Sequence, residues 1–254
     1  MSQPVSVHML PALLDPETLP GSQAVMIDVL RASTTIVHAL AHGAAGVMPR
    51  ESVEQARETA AANPPGTVLL GGERGGERIH GFDLDNSPLA YTPEVVADKT
   101  VVFTTTNGTR ALEKCAAADR IFVGCFVNRA ALLRVLQADG RPVHLVCAGT
   151  DGHLTAEDIL LAGCVAAGLL GIGPDDPRDL ARGSVDVQTQ MAIDYYLARS
   201  GDEATFRQTM RASRGGQNLI RLGHEADIER AGDRDLFDLV PEWWPDRDLI
   251  SIAS

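Results

Sequence analysis

Apolar and polar positions in the first two thirds of the chain follow two alternating patterns. Short apolar runs are typical of buried strands, and between them lie segments in which apolar residues recur at helical spacing. Because strand and helix alternate, the pattern predicts an α/β fold, layered α/β/α around a largely parallel or mixed sheet. The predicted strands are residues 5–10, 24–30, 46–49, 67–70, 99–103, 120–124 and 143–147.

The pattern changes beyond residue 171, after which a polar segment at 174–184 leads into mainly helical spacing. We predict a single domain over residues 1–254, either undivided or built as two lobes. In the second case, residues 1–171 form the sheet core and residues 172–254 a mostly helical cover. The predicted elements of that cover are helices at 186–200, 202–212 and 225–231, an interruption at 213–218, and a closing strand at 236–240.

The predicted loop at residues 71–88 is unusually polar for its length, with five glycines and two Glu–Arg pairs. Long loops in compact domains are usually either functional or disordered. The end of this one, Asn86-Ser87-Pro88, has the residues of a helix start, which favours order. Glycine admits close backbone approach, arginine binds oxyanions and carboxylates bind hard cations. The segment therefore predicts an anion site or a metal–phosphate site.

Asp28 is the one carboxylate in the second predicted strand. A buried charge is costly unless it is paired, and Arg31 is the natural partner in sequence. An ion pair that fixes the turn is one interpretation, and a metal ligand or a nucleophile toward phosphorus is the other. Ser33 or Thr34 is expected to cap the following helix.

Two more predicted strands end in polar segments. Residues 104–110, TTTNGTR, place several hydroxyls at a helix start, which favours phosphate or carboxylate binding over a plain cap. In residues 149–158, Thr155 and Asp158 fit a capping box, which leaves Glu157 free to point toward the strand ends. All these polar segments follow carboxyl ends of strands, where open α/β sheets bind ligands, so we expect one shared site.

Composition narrows the range of partners and compartments. The net charge of −12, with no basic block, argues against nucleic acid or an anionic membrane as partner. The four cysteines lack CxxC spacing and are expected to be reduced. The first residues lack the features of a signal peptide, so we expect a cytoplasmic protein. The sequence leaves open whether the chain forms a homodimer.

Five long segments are distinctive and occur in order along the chain. They are IDVLRASTTIVHAL, GGERGGERIHGFDLDNSP, TTTNGTRAL, VCAGTDGHLTAEDILLAG and, as a looser match, SRGGQNLIRLGHEADI followed by LVP. Together they resemble the 2-phosphosulfolactate phosphatase family, known as ComB, along nearly the whole chain. One departure is Asp85, where we expect the family to carry glycine. An extra carboxylate beside Asn86 would alter metal affinity or repel part of an anionic substrate.

The resemblance implies a magnesium-dependent phosphatase with the family's layered α/β fold. Its substrate would be 2-phospho-3-sulfolactate, converted to 3-sulfolactate on the route to coenzyme M. Such a multiply acidic substrate requires guanidinium and backbone donors. Magnesium takes one or two carboxylates and keeps several waters, and the candidate ligands are Asp28, Glu73, Glu157 and Asp83.

We assign catalysis to Asp28, Arg31, Glu73 and Arg74. An in-line oxygen would displace sulfolactate, and the sequence leaves open whether it belongs to Asp28 or to water. Arg214 either reaches the site or lies on the surface. The residues assigned to substrate binding are Arg78, Asn86, Ser87, Thr105, Thr106, Asn107, Arg110 and Arg214.

Two other functions stay open. One is a magnesium-dependent phosphatase of another small 2-phospho acid, such as phospholactate or phosphoglycolate. The other is a non-catalytic anion-binding protein that has kept the pocket.

Overall fold

A ten-stranded sheet forms the centre of the protein in a computed structural model that describes residues 3–173 and 185–253. Helices cover both faces of this mixed, mostly parallel sheet, so the predicted α/β fold is confirmed. The polar segment 174–184 lies outside the described residues. The strands are β1 (Val5–His8), β2 (Gln23–Ile27), β3 (Gly46–Pro49), β4 (Val68–Arg74), β5 (Glu77–Arg78), β6 (Thr100–Thr104), β7 (Arg120–Gly124), β8 (Val143–Cys147), β9 (Pro241–Trp244) and β10 (Leu249–Ile252).

The helices alternate with strands up to α6 and then follow one another from α7 to α10. No helix in the described ranges is long and apolar enough to cross a membrane. The helices are α1 (Ala32–Ala41), α2 (Val53–Ala61), α3 (Pro93–Val96), α4 (Gly108–Lys114), α5 (Arg129–Asp139), α6 (Ala156–Leu170), α7 (Val187–Leu197), α8 (Glu203–Ala212), α9 (Arg214–Leu222) and α10 (Glu225–Gly232).

The sheet consists of two parallel halves joined by an antiparallel hairpin. Its strand order is β1-β8-β2-β7-β9-β10-β3-β6-β4-β5. Strands β1, β8, β2 and β7 are parallel and form the first half. Strands β3, β6 and β4 are parallel and form the second half. The β9–β10 hairpin pairs with β7 on one side and with β3 on the other.

The β9–β10 hairpin pairs with its neighbours near their amino-terminal ends, which leaves space between the two halves at their carboxyl ends. Trp243 of β9 pairs with Ile121, and Ile250 of β10 pairs with Val47, near the amino-terminal ends of β7 and β3. The carboxyl ends of both halves extend beyond it, so the loops that follow them can meet. The predicted closing strand at 236–240 is wrong. The strand begins at Pro241, a position where proline needs no ladder N–H.

Both faces of the sheet are buried, because successive side chains of each strand point to opposite faces and helices cover both. On β2, Val25 and Ile27 face a core shared with α5 and α6, whereas Ala24 and Met26 face a core shared with α1 and α4. An apolar run without polar alternation is therefore the sequence signature of a strand covered by helices on both sides.

The first part of the predicted loop 71–88 is a β-hairpin. Strand β4 continues to Arg74, and β5 returns with Glu73 opposite Arg78. The turn residues Gly75 and Gly76 have φ of 64° and 88°. Turns of this kind need positive φ at both central positions, which glycine supplies without strain.

The predicted interruption at 213–218 is also wrong, because α9 begins at Arg214. The hydroxyl of Ser213 accepts a hydrogen bond from the N–H of Gly216 at 2.9 Å and caps the helix. Glycine inside a helix costs roughly 1 kcal/mol relative to alanine. Here it permits close packing, since a Cβ on Gly216 would lie 2.1 Å from the carbonyl oxygen of Met210.

Candidate active site

A polar cavity of about 160 Å³ opens where carboxyl ends of strands from both halves of the sheet meet the start of α9. Strands β2, β4, β6 and β8 each deliver residues to its wall. The structure thus brings part of the predicted set together, although the role of each residue stays a prediction. The predicted residues that line the cavity are Asp28, Arg31, Glu73, Asn86, Thr105, Thr106 and Asn107.

Asp28 follows β2 directly and is buried in the cavity wall. Its Oδ1 accepts a hydrogen bond from the N–H of Ala32 at 3.2 Å. Glycine at position 108 leaves room for its other oxygen, because a Cβ there would lie 2.9 Å from Oδ2. Burial is the largest of the effects that together raise the pKa of Asp28 to about 7. The nearby charges of Glu73 and Glu157 also raise the pKa, whereas the N–H of Ala32 and the charge of Arg31 lower it. Asp28 therefore exchanges a proton near neutral pH.

The turn after β2 is held by hydroxyls rather than capped by them. Helix α1 begins at Ala32 and has no side-chain cap among the described residues, so the predicted cap at Ser33 or Thr34 is wrong. Instead, the Ser33 hydroxyl accepts from the N–H of Asp28 at 2.8 Å. The Thr34 hydroxyl donates to the carbonyl of Val29 at 2.8 Å. Both bonds fix the direction in which Asp28 leaves the strand.

Arg31 does not form the predicted ion pair with Asp28. Its Nη1 lies 2.7 Å from Oδ2 of Asp227 in α10, and both side chains are 2% exposed. Its Nη2 donates to the carbonyl of Gly76 at 2.8 Å. Arg31 therefore points toward the β4–β5 hairpin and α10, where the Gly76 carbonyl and Asp227 bind its guanidinium.

Glu73 ties two walls of the cavity together. Its Oε2 accepts from the N–H of Gly76 at 2.7 Å, and its Oε1 accepts from the N–H of Thr106 at 2.8 Å. The peptide of Gly76 is therefore clamped, with Glu73 on its N–H and Arg31 on its carbonyl. A carboxylate has about four acceptor sites, so these bonds leave lone pairs on Glu73 for a further ligand.

Glu157 and Asp158 lie behind the cavity in the first turn of α6 rather than in its lining. The predicted capping box is wrong, because the Thr155 hydroxyl donates to Glu157. Asp158 instead accepts from the N–H groups of Val29 and Gly149 at 2.9 and 3.0 Å. Burial raises the pKa of both acids, so the first half of the sheet carries a cluster of buried acids.

Three side chains in the cavity wall carry polar atoms that no described residue satisfies. These atoms are Oδ1 of Asn86 and the hydroxyl oxygens of Thr105 and Thr106. Asn86 and Thr105 are each 4% exposed. Buried polar groups are nearly always hydrogen-bonded, and an exception calls for a ligand, an ion or water. Asn107 differs, since its Oδ1 accepts from the N–H of Asp151 at 3.2 Å.

Three of the predicted arginines lie outside the cavity lining. Arg74 follows Glu73 on β4 and so points to the other face, where it donates to the hydroxyl of Thr104 and the carbonyl of Glu51 at 2.9 and 3.1 Å. Arg78 is exposed on β5 and donates to a backbone carbonyl of its own loop. Arg110 lies on the exposed face of α4.

Asp83, Ser87 and Arg214 are also absent from the residues that the structure describes in the cavity wall. Asp83 accepts from a backbone N–H of β4 at 2.8 Å. Ser87 donates from its hydroxyl to Asp227 at 2.6 Å. Arg214 is half exposed at the start of α9, and its Nη2 lies 3.6 Å from Oδ2 of Asp151, which does line the cavity. Arg214 therefore lies at the rim.

Asp85 is likewise turned away from the cavity. Its Oδ1 accepts from the N–H of Ser87 at 2.8 Å, and its backbone carbonyl accepts from the Tyr91 hydroxyl at 2.7 Å. The Asp85 carboxylate thus fixes the turn that precedes Ser87. Asp85 does not line the cavity, so its carboxylate has no direct contact through which to repel a bound anion.

The family model for 2-phosphosulpholactate phosphatase matches residues 8–244 of this chain. The chain belongs to this family. Proteins described as probable 2-phosphosulfolactate phosphatases are similar to it over most of both lengths. The one from Symbiobacterium thermophilum is 41% identical over 84% of this chain and 87% of its own. The one from Caldanaerobacter subterraneus subsp. tengcongensis is 38% identical over 88% of this chain and 88% of its own. The one from Synechococcus sp. is 38% identical over 93% of this chain and 95% of its own.

Membership of the 2-phosphosulpholactate phosphatase family places the chain among the phosphoric monoester hydrolases. Hydrolysis of a phosphate ester requires groups that bind phosphoryl oxygens and groups that offset their charge. The cavity provides Arg31 and the unsatisfied hydroxyls of Thr105 and Thr106 for the first task. A small phosphorylated acid fits this chemistry.

The charge of the site suits a divalent cation, although the described side chains do not form a preassembled metal site. No group of three or more His, Cys, Asp or Glu side chains is arranged to hold a metal ion within residues 3–173 and 185–253. Magnesium, however, needs only one or two carboxylates because it keeps several waters. Asp28 and Glu73 line one cavity, and the raised pKa of Asp28 reflects burial and repulsion that a cation would relieve.

Several residues at the cavity were not predicted from the sequence. Asn218 and Arg221 of α9 line the cavity, but the glycines that precede them suggested a loop. Their spacing of three residues, which places them on one helix face, was the available signal. Asp227 pairs with Arg31 from 196 residues away, and no local pattern reveals such a contact. Thr150 and Asp151 follow β8 within a segment that was expected to reach the site.

Proposed function

We propose that this chain hydrolyses (2R)-2-phospho-3-sulfolactate to 3-sulfolactate and phosphate with Mg²⁺ as cofactor, as in coenzyme M biosynthesis. One observation carries the proposal. A single buried cavity joins a carboxyl with a pKa of about 7, a guanidinium, and hydroxyls that the described residues leave unsatisfied. The names of its relatives point to the same substrate.

The phosphoryl group is assigned to the wall formed by Arg31, Thr105 and Thr106. Arginine has five N–H donors, and among the described residues Arg31 uses one on Asp227 and one on Gly76. The remaining donors suit phosphoryl oxygens, which guanidinium binds in a fixed geometry. The two threonine hydroxyls add donors that need no rearrangement of existing bonds.

Asp28 and Glu73 are the residues that would hold Mg²⁺. When bound there, the ion supplies positive charge that offsets the phosphoryl oxygens and the buried carboxylates. Asp28 lines the cavity, as Glu73 does, whereas Glu157 and Asp158 lie behind it. Its pKa of about 7 suits a group that changes charge during the reaction.

The remaining acidic groups of the substrate are assigned to α9. Arg221 and Asn218 line the cavity on the side opposite the sheet, and Gly215 lets the helix start approach Glu157 closely. Guanidinium and amide donors suit carboxylate and sulfonate oxygens. A substrate with acidic groups at both ends would therefore contact the sheet edge and the helical cover at once.

We further propose a cytoplasmic location. All four cysteines lie in the described part of the chain, buried and unpaired with one another. Secreted proteins usually oxidise such thiols or lack them. The net charge of −12 also supports a partner that is a small molecule rather than nucleic acid.

A phosphate-release assay over small phospho acids tests the proposed function. The purified chain is assayed with 2-phospho-3-sulfolactate, phospholactate and phosphoglycolate, each with Mg²⁺ and with EDTA. We expect the highest kcat/KM for phosphosulfolactate and loss of activity in EDTA. A preference for phospholactate or phosphoglycolate would assign another substrate to the same chemistry. Phosphate binding without release from any compound would favour the non-catalytic alternative.

A further inference from the structure

Arg31 is held from outside the sheet by a buried network centred on Asp227. The Arg31–Asp227 ion pair joins the end of β2 to α10, across 196 positions of the sequence. The second oxygen of Asp227, Oδ1, accepts from the Ser87 hydroxyl at 2.6 Å. His224 Nδ1 lies 3.7 Å from Oδ2. Asp227 therefore has a partner on each oxygen and only 2% exposure.

A buried ion pair of this kind contributes little to stability by itself. Removing two charges from water costs about as much as their attraction returns, and an apolar pair of similar volume is often as stable. The pair does restrict geometry, because the planar guanidinium has one edge fixed by Asp227 and by the Gly76 carbonyl. The orientation of Arg31 is thus the main result of the network.

The fixed orientation matters because Arg31 lines the cavity and Asp227 does not. With Nη1 and Nη2 each engaged once among the described residues, the remaining N–H groups are available to the cavity. A guanidinium that must rotate into place before it binds an oxyanion loses part of its effect, whereas a preorganised donor does not. The network also reaches the hairpin, since Glu73 holds the N–H of Gly76.

We propose that Asp227 is a positioning residue that orients Arg31 for the phosphoryl group, with Ser87 holding Asp227 in turn. The inference rests on the proposed function for the identity of the bound group. It assigns a task in phosphate recognition to α10, a helix of the C-terminal cover. Asp227 acts through Arg31 and touches neither substrate nor metal.

Asp227→Asn tests the inference because it keeps the shape of the side chain and removes its charge. The affinity for inorganic phosphate is measured by calorimetry, and kcat and KM are measured with 2-phospho-3-sulfolactate and Mg²⁺. We expect a rise of about 10-fold in the phosphate Kd and a fall of about 10- to 100-fold in kcat/KM, the range seen when a partner of a site residue is removed. Asp233→Asn is the matched control. Asp233 caps α10 and pairs with Arg207 at the surface, so both constants should stay unchanged.

A double-mutant cycle separates positioning from a merely structural role. In an Arg31→Lys background, Asp227→Asn should change the phosphate Kd and kcat/KM by less than about 2-fold, because the residue through which it acts is already altered. An equal loss in both backgrounds would overturn the inference, and so would a wild-type phosphate Kd in Asp227→Asn. Should Asp227→Asn fail to fold, Ser87→Ala loosens the same carboxylate from its other side and is expected to raise the phosphate Kd by about 3-fold, an energy near that of one hydrogen bond.

The two readouts distinguish this inference from the proposed function. A wild-type protein that binds phosphate and hydrolyses none of the phospho acids would contradict the function and leave the phosphate Kd to decide the role of Asp227. A wild-type protein that hydrolyses phosphosulfolactate, with an Asp227→Asn variant of equal Kd and kcat/KM, would support the function and contradict the positioning role.

Discussion

The first half of the sheet places three buried acids at or behind the cavity, whereas the second half places one, Glu73, together with two threonine hydroxyls. Behind β2 and β8 lie Asp28, Glu157 and Asp158, whose pKa values are raised mainly by burial. After β6 lie Thr105 and Thr106, whose hydroxyls lack partners among the described residues. The acidic groups that repel an oxyanion are therefore concentrated in the first half, although Arg31 follows β2 of that half and the acid Glu73 belongs to the second.

This difference supports the proposal that the phosphatase uses a divalent cation. The guanidinium of Arg31 is paired with Asp227, and it offsets only part of the burial and repulsion that raise the pKa of Asp28. A doubly charged phosphoryl group beside Asp28 would raise the repulsion further. Asp28 and Glu73 would hold a divalent ion, which would offset the charge of these acids and of the phosphoryl oxygens.

Asp28→Asn removes the central acid of the first half and should have the largest effect on turnover. We expect kcat to fall by at least about 10³-fold, since the residue would take part in the chemical step or hold the cation. The assay is phosphate release at saturating Mg²⁺, with circular dichroism to confirm folding. Near-normal turnover of the folded variant would contradict the assignment.

The same variant should be more stable than the wild type at neutral pH. The pKa of Asp28 rises from 3.8 to about 7 on folding, so the folded state binds more protons between these values. The free energy of unfolding of the wild type therefore falls as pH rises through that window, by on the order of 4 kcal/mol from this group.

This prediction is checked by urea unfolding of both proteins in EDTA at pH 4 and pH 8. Asp28→Asn should exceed the wild type in free energy of unfolding at pH 8 and approach it at pH 4. A difference in free energy of unfolding that is the same at pH 4 and pH 8 would show that folding does not raise the pKa of Asp28.

Glu73→Gln tests the link between the β4–β5 hairpin and the loop after β6. A glutamine can accept only with its carbonyl oxygen, so either Gly76 or Thr106 loses the acceptor for its N–H. We expect kcat/KM to fall by about 10- to 100-fold and the protein to lose about 1–3 kcal/mol of stability. Glu77→Gln, in the same hairpin but exposed, is the matched control and should behave like the wild type.

Thr105→Val removes one donor from the second half while it keeps the volume. We expect KM to rise by about 10-fold, the value of one hydrogen bond to a charged group. Stability should stay equal or increase, because the buried hydroxyl has no partner among the described residues. Thr35→Val offers the contrast. Its hydroxyl donates to the Asn86 carbonyl at 2.8 Å, so that variant should lose stability. Equal behaviour of both variants would contradict a ligand-binding role for Thr105.

Much of the fold follows from local patterns, because apolar runs such as β2 and β8 are buried on both faces and read clearly as strands. The sequence also predicted that polar strand ends would converge, and Asp28, Glu73 and Thr105 do line one cavity. The order of strands did not follow, since the β9–β10 hairpin inserts between two halves from which it is distant in sequence.

Several predicted site residues lie outside the cavity lining for different physical reasons. Arg74 follows Glu73 directly on β4, and a strand sends neighbouring side chains to opposite faces. Arg31 was paired with Asp28 by proximity, whereas its partner Asp227 comes from α10. The glycines of α9 suggested a loop, although they serve close packing against Glu157 and Met210.

The most direct test of the account is phosphate release from 2-phospho-3-sulfolactate by the purified chain, with Asp28→Asn as the blank. The account predicts equal amounts of phosphate and 3-sulfolactate in the presence of Mg²⁺, and a rate at the level of the blank when EDTA is added. Phosphate release that is the same with EDTA would contradict the role of the cation. A wild-type rate no higher than that of Asp28→Asn would contradict the proposed phosphatase.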